Sequence, residues 1–279
     1  MAIKIGLSDA PPIWAAGIRI LFSAIILLAY NKLMGHVYPA GWKAKGRVIW
    51  LGALIYGASY IFVYIGMRRI DSSLAAIIFG AFPIFTAIMV PLIVKTERVT
   101  ARAILGVLVG FLGIVLVFSG PIALNRATLY GGGLIILSTL VSAYGLVHIK
   151  AYLHDEPILP MMALQLTLGG VVIVLTALLF EDFSAFHYTP ATVGSILYLT
   201  VFGTILSFGG YWWLLRKIGA VRVSLVAFVT PIVAVFLGWI VMDEHLALID
   251  YLGTALVLGG VLLDNIKSRS SGGGNNEQP

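Results

Sequence analysis

Cysteine is missing altogether from this 279-residue chain, and charge is scarce: Asp, Glu, Lys and Arg together make up 11% of it. The first absence excludes disulfides and thiolate-ligated metal sites, and it leaves the redox compartment unreadable. The second excludes an ordinary water-soluble domain, in which about 25% of residues are charged. Inside the long apolar runs acids are absent where they would matter most, since no Asp or Glu falls in the middle third of any run. A carboxylate at membrane depth is costly and is kept for function, so coupling through a buried acid is not expected. Metal or acid–base chemistry would need clustered His, Asp and Glu. The nearest approach, His154-Asp155-Glu156, lies beside Pro157 with no matching ligand set elsewhere. The sequence therefore predicts no cofactor, no metal and no enzyme.

What is abundant is hydrocarbon. Hydrophobic residues make up 60% of the chain and the mean hydropathy is +1.01. Nine apolar runs, at about 13–34, 47–66, 72–94, 103–120, 129–149, 158–180, 191–215, 221–242 and 249–266, are each long enough to cross about 30 Å of bilayer as a helix. A β-barrel would need alternating polarity, which is absent, so the expected fold is an all-α integral membrane bundle. The net charge of +6 does not point to nucleic acid, because Lys and Arg are scattered through the short connections. One set of alternate connections carries twelve of them, from Lys43 to Arg269; the other carries Lys4, Arg68, Arg69 and Arg126 together with the acids Glu181-Asp182 and Asp243-Glu244. The excess of positive charge predicts a cytoplasmic C-terminus. Residues 1–10 carry a charge pair and no apolar core of a cleavable signal, and 268–279 reads as a Ser, Gly and Asn-rich disordered tail.

The chain also resembles itself. At an offset of about 148 residues Pro12 matches Pro160, Arg68 matches Arg216, Ile70 matches Ile218 and Pro83-Ile84 matches Pro231-Ile232; one residue less brings Glu97 onto Glu244, Leu105-Gly106 onto Leu252-Gly253 and Gly113 onto Gly260. Two apolar halves with shared kinks are the mark of a repeat-built transporter with its site between the halves. The run at 129–149 opens the second half without a partner in the first. The pattern predicts a parent architecture of five plus five helices, inverted because five is odd, with nine spans and the first helix absent here.

Particular motifs extend this reading. Ala10-Pro11-Pro12 with Ala15 to Arg19, Phe82-Pro83-Ile84-Phe85 leading to Thr96-Glu97-Arg98-Val99-Thr100, and Gly106 through Gly113 are followed by a looser second set at Thr230-Pro231-Ile232, Asp243-Glu244-His245-Leu246 and Gly253 through Gly260. In order and duplication they resemble the EamA domain of the drug/metabolite transporter superfamily, over about residues 2 to 265. The resemblance implies a ten-helix carrier of the bacterial inner membrane that exports amino acids or other small metabolites through a central cavity. It divides the chain into a first repeat at 1–120 lacking its first helix, a second at 129–266, and the tail.

Several residues are candidates for the site. Pro83 and Pro231 are mid-span prolines at equivalent positions, each removing a backbone hydrogen bond, so that carbonyls near Phe79 and Ala227 are free to face substrate; a static packing kink is the alternative. Tyr56, Tyr60 and Tyr64 form a stripe four residues apart, with Phe208, Tyr211 and Trp212 as its second-half counterpart. A phenol at membrane depth wants a partner, which favours the interior for Tyr56 and Tyr60; Tyr64, near the outer end, reads better as an interfacial anchor, and for Trp212 and Trp213 an anchor is as good a reading as an aromatic wall. Tyr144 and His148 lie one turn apart near Ser138, Thr139 and Ser142, and His148 is a candidate for proton coupling against a plain interfacial placement. Arg19, two turns into its span, must snorkel, pair or face water, with anion binding as its functional reading. Gly106, Gly110 and Gly113 offer a smooth face for close packing or for a dimer seam.

Together these features predict a transporter of small, partly aromatic, low-charge solutes, working by alternating access in contact with lipid, with a homodimer as its candidate protein partner. A sugar-phosphate or nucleotide-type carrier of the same superfamily would need more basic residues at cavity depth than Arg19 alone. A non-transporting membrane sensor or assembly protein is the reading from another class.

Overall fold

Eight of the nine predicted runs are helical in the computed structural model, which describes residues 10–70, 72–94, 96–117, 125–228 and 248–265. The helices are α1 (Pro12–Leu33), α2 (Trp42–Met67), α3 (Ser72–Gly80), α4 (Phe82–Ile93), α5 (Ala101–Val117), α6 (Arg126–Tyr152), α7 (Ile158–Phe180), α8 (Pro190–Lys217), the short α9 (Ala220–Ser224) and α10 (Leu248–Asn265). Six apolar helical stretches are long enough to cross a bilayer, and two shorter ones, Ala101–Val117 and Tyr251–Leu263, complete the apolar set. The described residues contain no strand, as lipid requires of a chain that satisfies its backbone within each segment. Of the predicted span 221–242 only the beginning is described; Pro231 lies outside the described residues, as do Asp243 and Glu244.

Two departures from the predicted boundaries have local causes. α2 starts at Trp42, five residues before the apolar run, because Lys43, Lys45 and Arg47 extend the helix as an exposed basic turn. The predicted span 72–94 is broken at Ala81, where α3 ends and α4 begins. Pro83 has no N–H to give to residue 79, and the chain resumes with this proline in the first turn of α4, where the missing donor costs nothing.

Two pairs of helices related by the repeat, at offsets of 148 and 147 residues, pack against one another, and within each pair they run in opposite directions. In the α1–α7 pair, Ile13 lies at Glu181, Gly17 at Val174 and Leu21 at Gly170. In the α5–α10 pair, Gly106 meets the carbonyl of Gly260 while Gly113 meets the carbonyl of Gly253. Since Gly106 corresponds to Gly253 and Gly113 to Gly260, this contact is reciprocal, as a twofold axis between helices demands. A Cβ at Gly106 or at Gly113 would lie 2.5 Å from the facing carbonyl oxygen, so only glycine allows this approach. The glycine face read from the sequence is thus consumed within the chain.

α2 and α8, the next equivalent pair, each contain one widened π turn, at Ala53–Ala58 and at Val201–Leu206. The two lie 148 residues apart. In α8 the hydroxyls of Thr204 and Ser207 donate to the carbonyls of Leu199 and Phe202, five residues back, at 3.1 and 2.6 Å. These side-chain bonds span the same five-residue spacing as the wider turn.

Candidate functional site: a cavity between the two halves

A cavity of about 960 Å3 lies between α1, α2, α3, α4, α6 and α8. Its wall is largely aromatic and aliphatic, with Tyr60, Tyr64, Phe79, Phe82, Phe208 and Tyr211 among the lining side chains. The two π turns border it, contributing Ile55 on one side and Gly203 on the other. Such turns rotate the helix that follows by one residue and commonly accompany binding sites. Here they aim Ser59 and Tyr60, and in the other half Phe208 and Tyr211, at the same space.

Polar groups are few and placed. Ser59 Oγ lies 2.7 Å from Ser138 Oγ and 2.9 Å from Ser142 Oγ, forming a hydroxyl cluster between α2 and α6 of which Ser59 and Ser142 line the cavity. Arg19 of α1 also lines it, and its buried Nε finds no acceptor among the described residues. Glu181, just beyond α7, closes one end. Its Oε2 accepts from the backbone N–H groups of Ile13 and Trp14 at 2.9 and 3.0 Å, and its Oε1 accepts from Arg68 Nη2 at 3.3 Å. α1 has Pro11 at its N-cap and no side-chain cap of its own. An acid far along the chain therefore satisfies the open donors of its first turn and meets the positive end of its dipole. α6 and α8, by contrast, are capped locally, by Asn125 on Thr128 N and by Thr189 on Thr192 N.

The candidates read from the sequence fall in five places. Tyr60, Phe79, Phe208, Tyr211 and Arg19 come together around the cavity. Tyr56 lies behind that wall, fully buried; its hydroxyl accepts from Trp212 Nε1 at 3.2 Å, and its ring meets Phe208 edge-on at 4.9 Å. Pro83 is buried in the first turn of α4, with its neighbour Phe82 facing the cavity instead. Tyr144 and His148, their rings 3.8 Å apart, border a separate pocket of about 290 Å3 with Arg47, Trp50 and Tyr152. The Tyr144 carbonyl lies 3.1 Å from His148 Nδ1. Trp212 is 4% exposed, so it is an internal brace rather than an interfacial anchor, and Trp213 beside it is exposed.

Glu181 and Arg68 were not among the candidates, because each stands at the end of a span among loop charges. The sequence carried no signal of Glu181's role, since Ser8 and Asp9 stand just before Ala10 as local capping candidates and only the structure puts Pro11, which has no side-chain acceptor, at the N-cap. The π turns had no signal of any kind in the sequence.

Comparison with known proteins places this geometry. The EamA-like transporter family matches residues 1–119 and again 129–265. The chain is 28% identical over 267 residues to an uncharacterized transporter of Archaeoglobus fulgidus, covering 94% of this chain and 91% of that protein. Over 270 residues it is 28% identical to the uncharacterized inner membrane transporter YedA of Escherichia coli K12, covering 94% of this chain and 84% of YedA. The uncharacterized transporter YoaV of Bacillus subtilis is 24% identical over 271 residues, covering 95% and 90% of the two chains. A protein of known crystal structure superposes with a TM-score of 0.82 over 95% of this chain and 98% of its own, at 13% identity, a likeness of fold alone.

Proposed function

Because this chain belongs to the EamA-like transporter family, we propose that it exports small metabolites, amino acids or related low-charge solutes, across the bacterial inner membrane by alternating access between two inverted halves. The observation that carries this reading is the cavity of about 960 Å3, lined from both halves by aromatic rings and by one arginine with an unfilled donor. The volume is near the upper end of the usual range for small-molecule sites, about 300–1,000 Å3. A solute with an apolar or aromatic body lies against Tyr60, Phe79, Phe208 and Tyr211, and an anionic group such as a carboxylate meets Arg19. The antiparallel packing of equivalent helices supplies what alternating access needs, since exchanging the conformations of two inverted halves opens the passage to the opposite face. The distribution of basic residues assigns the Lys150 and Arg216 face to the cytoplasm and the Arg68 and Glu181 face to the outside. Of the two residues considered for coupling, Arg19 lies in the cavity and His148 in the separate pocket.

The test is flux of a panel of labelled amino acids and purines in proteoliposomes holding the purified protein. At least one solute is expected to move faster than through protein-free vesicles, with Arg19→Gln and Tyr211→Ala each lowering the flux about tenfold or more, the loss of one charged or stacking contact. A folded protein that moves no member of the panel, or whose flux both variants leave unchanged, refutes this assignment of the cavity.

A further inference from the structure

We propose that the groove between α2 and α6, on the side turned away from the central cavity, binds the headgroup of an anionic phospholipid, with Arg47 holding its phosphate. The inference goes beyond transport and holds whether or not the cavity carries a solute. α2 and α6 are antiparallel, so Arg47 in the second turn of α2 meets Tyr152 at the end of α6, while Ile55 meets Gly145 and Ser59 meets Ser138 further in. Counted around α6 at about 100° per residue, the cavity-lining Ser142 and Leu146 stand on one side of Gly145, whereas Tyr144, His148 and Tyr152 stand on the other. The pocket of about 290 Å3 that these three border with Arg47, Trp50 and Leu51 therefore opens on the far side of the α2–α6 seam. Its rim is uncovered, with Trp50 58% and Tyr152 48% exposed. In a bilayer this surface faces lipid, at the level where Trp and Tyr rings lie among headgroups.

Positive charge at this rim is uncompensated. The Arg47 guanidinium carbon lies 4.6 Å from the centre of the Tyr152 ring, and the group makes no ion pair among the described residues. A ring face attracts a cation without neutralising it, and it leaves the N–H groups at the guanidinium edge for an anion. Lys43 stands one turn earlier on the same face of α2. The first turn of α2 has neither an acid nor a side-chain cap, so the field of the helix has the same sign. The acids described on this face stand elsewhere: Asp155 lies 3.0 Å from His154, Asp155 and Glu156 both act on Arg216, and Glu97 lies against Gly219. A phosphodiester presents two free oxygens to the arginine fork. Its acyl chains run on past Trp50 and Leu51 into hydrocarbon, a contact that a free anion lacks. Basic pockets between spans on the cytoplasmic side, where the charge distribution puts this face, are suited to such headgroups.

His148 adds selectivity. Its Nδ1 lies 3.1 Å from the Tyr144 carbonyl, which can only accept, so Nδ1 carries the hydrogen and Nε2 of the neutral ring is an acceptor. An acceptor in the same pocket as Arg47 favours a headgroup with hydroxyls beyond its phosphate, such as phosphatidylglycerol.

The test is native mass spectrometry of the purified full chain in detergent, titrated with phosphatidylglycerol, phosphatidic acid, phosphatidylcholine or sn-glycerol 3-phosphate. Phosphatidylglycerol is expected to bind about tenfold or more tightly than phosphatidylcholine, and Arg47→Gln to remove that advantage, the loss of one charge-assisted contact. Arg47 is exposed, so its replacement does not threaten the fold, and Arg47→Lys should restore part of the affinity. Arg69→Gln removes the matching cation–ring contact, 4.8 Å over Tyr130, at the other end of the same two helices, and should leave lipid binding unchanged. His148→Phe keeps a ring in place and should weaken phosphatidylglycerol while sparing phosphatidic acid; an equal loss for both lipids overturns the hydroxyl contact. Equal affinity for phosphatidylglycerol and phosphatidylcholine, or equal losses in Arg47→Gln and Arg69→Gln, overturns the site. Binding of sn-glycerol 3-phosphate as tight as that of the lipid overturns the lipid as occupant in favour of a soluble phosphate ester.

Discussion

Gly259 and Gly260 are neighbours on α10 and face opposite surroundings, so alanine at each tests the crossing of α5 and α10. A Cβ at Gly260 would lie 2.6 Å from the Gly110 nitrogen and 2.9 Å from its Cα, whereas one at Gly259 meets nothing within 4 Å. The nearest atom of all is the Gly106 carbonyl oxygen, at 2.4 Å, and ordinary contact begins at 3.4 Å, so the two backbones would have to separate by about 1 Å, the difference between 3.4 and 2.4 Å. A gap of about 0.5–1 Å already forfeits a quarter to a half of each dispersion contact along the seam. Overpacking of this kind costs about 1–3 kcal/mol. Both substitutions gain the same helix propensity, up to about 1 kcal/mol over glycine, so this term cancels in the comparison. Gly259→Ala should be neutral or slightly stabilising, and Gly260→Ala should unfold earlier than Gly259→Ala. At about 2–4 °C per kcal/mol for a domain of roughly this size, the gap in midpoint is several degrees. The assay is thermal unfolding of the purified protein in detergent, followed by size-exclusion chromatography of heated aliquots. Equal midpoints for the two variants would refute the close reciprocal contact, and with it the twofold relation between these helices.

Other outcomes follow from the same geometry. Tyr56→Phe and Trp212→Phe each leave one buried polar atom without its partner, at a cost of about 1–3 kcal/mol. The double variant should recover part of that loss, and a thermal-stability cycle with zero coupling would count against the brace between α2 and α8. Asn125→Ala should cost about 0.5–2 kcal/mol by uncapping α6, whereas Asn125→Asp, which keeps the acceptor for Thr128 N, should lie within measurement error of the parent. Ser59→Ala removes the centre of a hydroxyl cluster that joins α2 to α6; a drop in stability larger than that of Ser142→Ala is expected, since Ser59 holds two partners and Ser142 is bonded through Ser59 alone.

Much of this architecture was legible because lipid leaves a chain few choices. Apolar runs in α1, α6 and α7 had to be helices, and the structure departs from them only where charge or proline intervenes, at Lys43 to Arg47 and at Pro83. Tyr60 and Phe208 stood out as aromatics at repeat-related positions, Tyr211 because it shares a face with Phe208, and Phe79 because Pro83 frees a carbonyl near it. Tyr56 sits on the same stripe, yet lies behind the wall. A widened turn at Ala53–Ala58 changes which residues of α2 face inward, and such a turn leaves no trace in a 3.6-residue pattern.

From the sequence alone came the membrane, the helices, the duplication and the inventory of residues able to face a solute. These follow from hydropathy, charge and spacing, which are local or additive along the chain. Tertiary structure alone decided which groups meet. That Glu181 would cap a helix 168 positions earlier, that Trp212 would turn inward to Tyr56, and that Gly106 would answer Gly260 rather than a second molecule depend on distances between segments remote in sequence. A buried hydrogen bond is satisfied by whatever packing brings close, and no periodicity in the chain encodes that proximity.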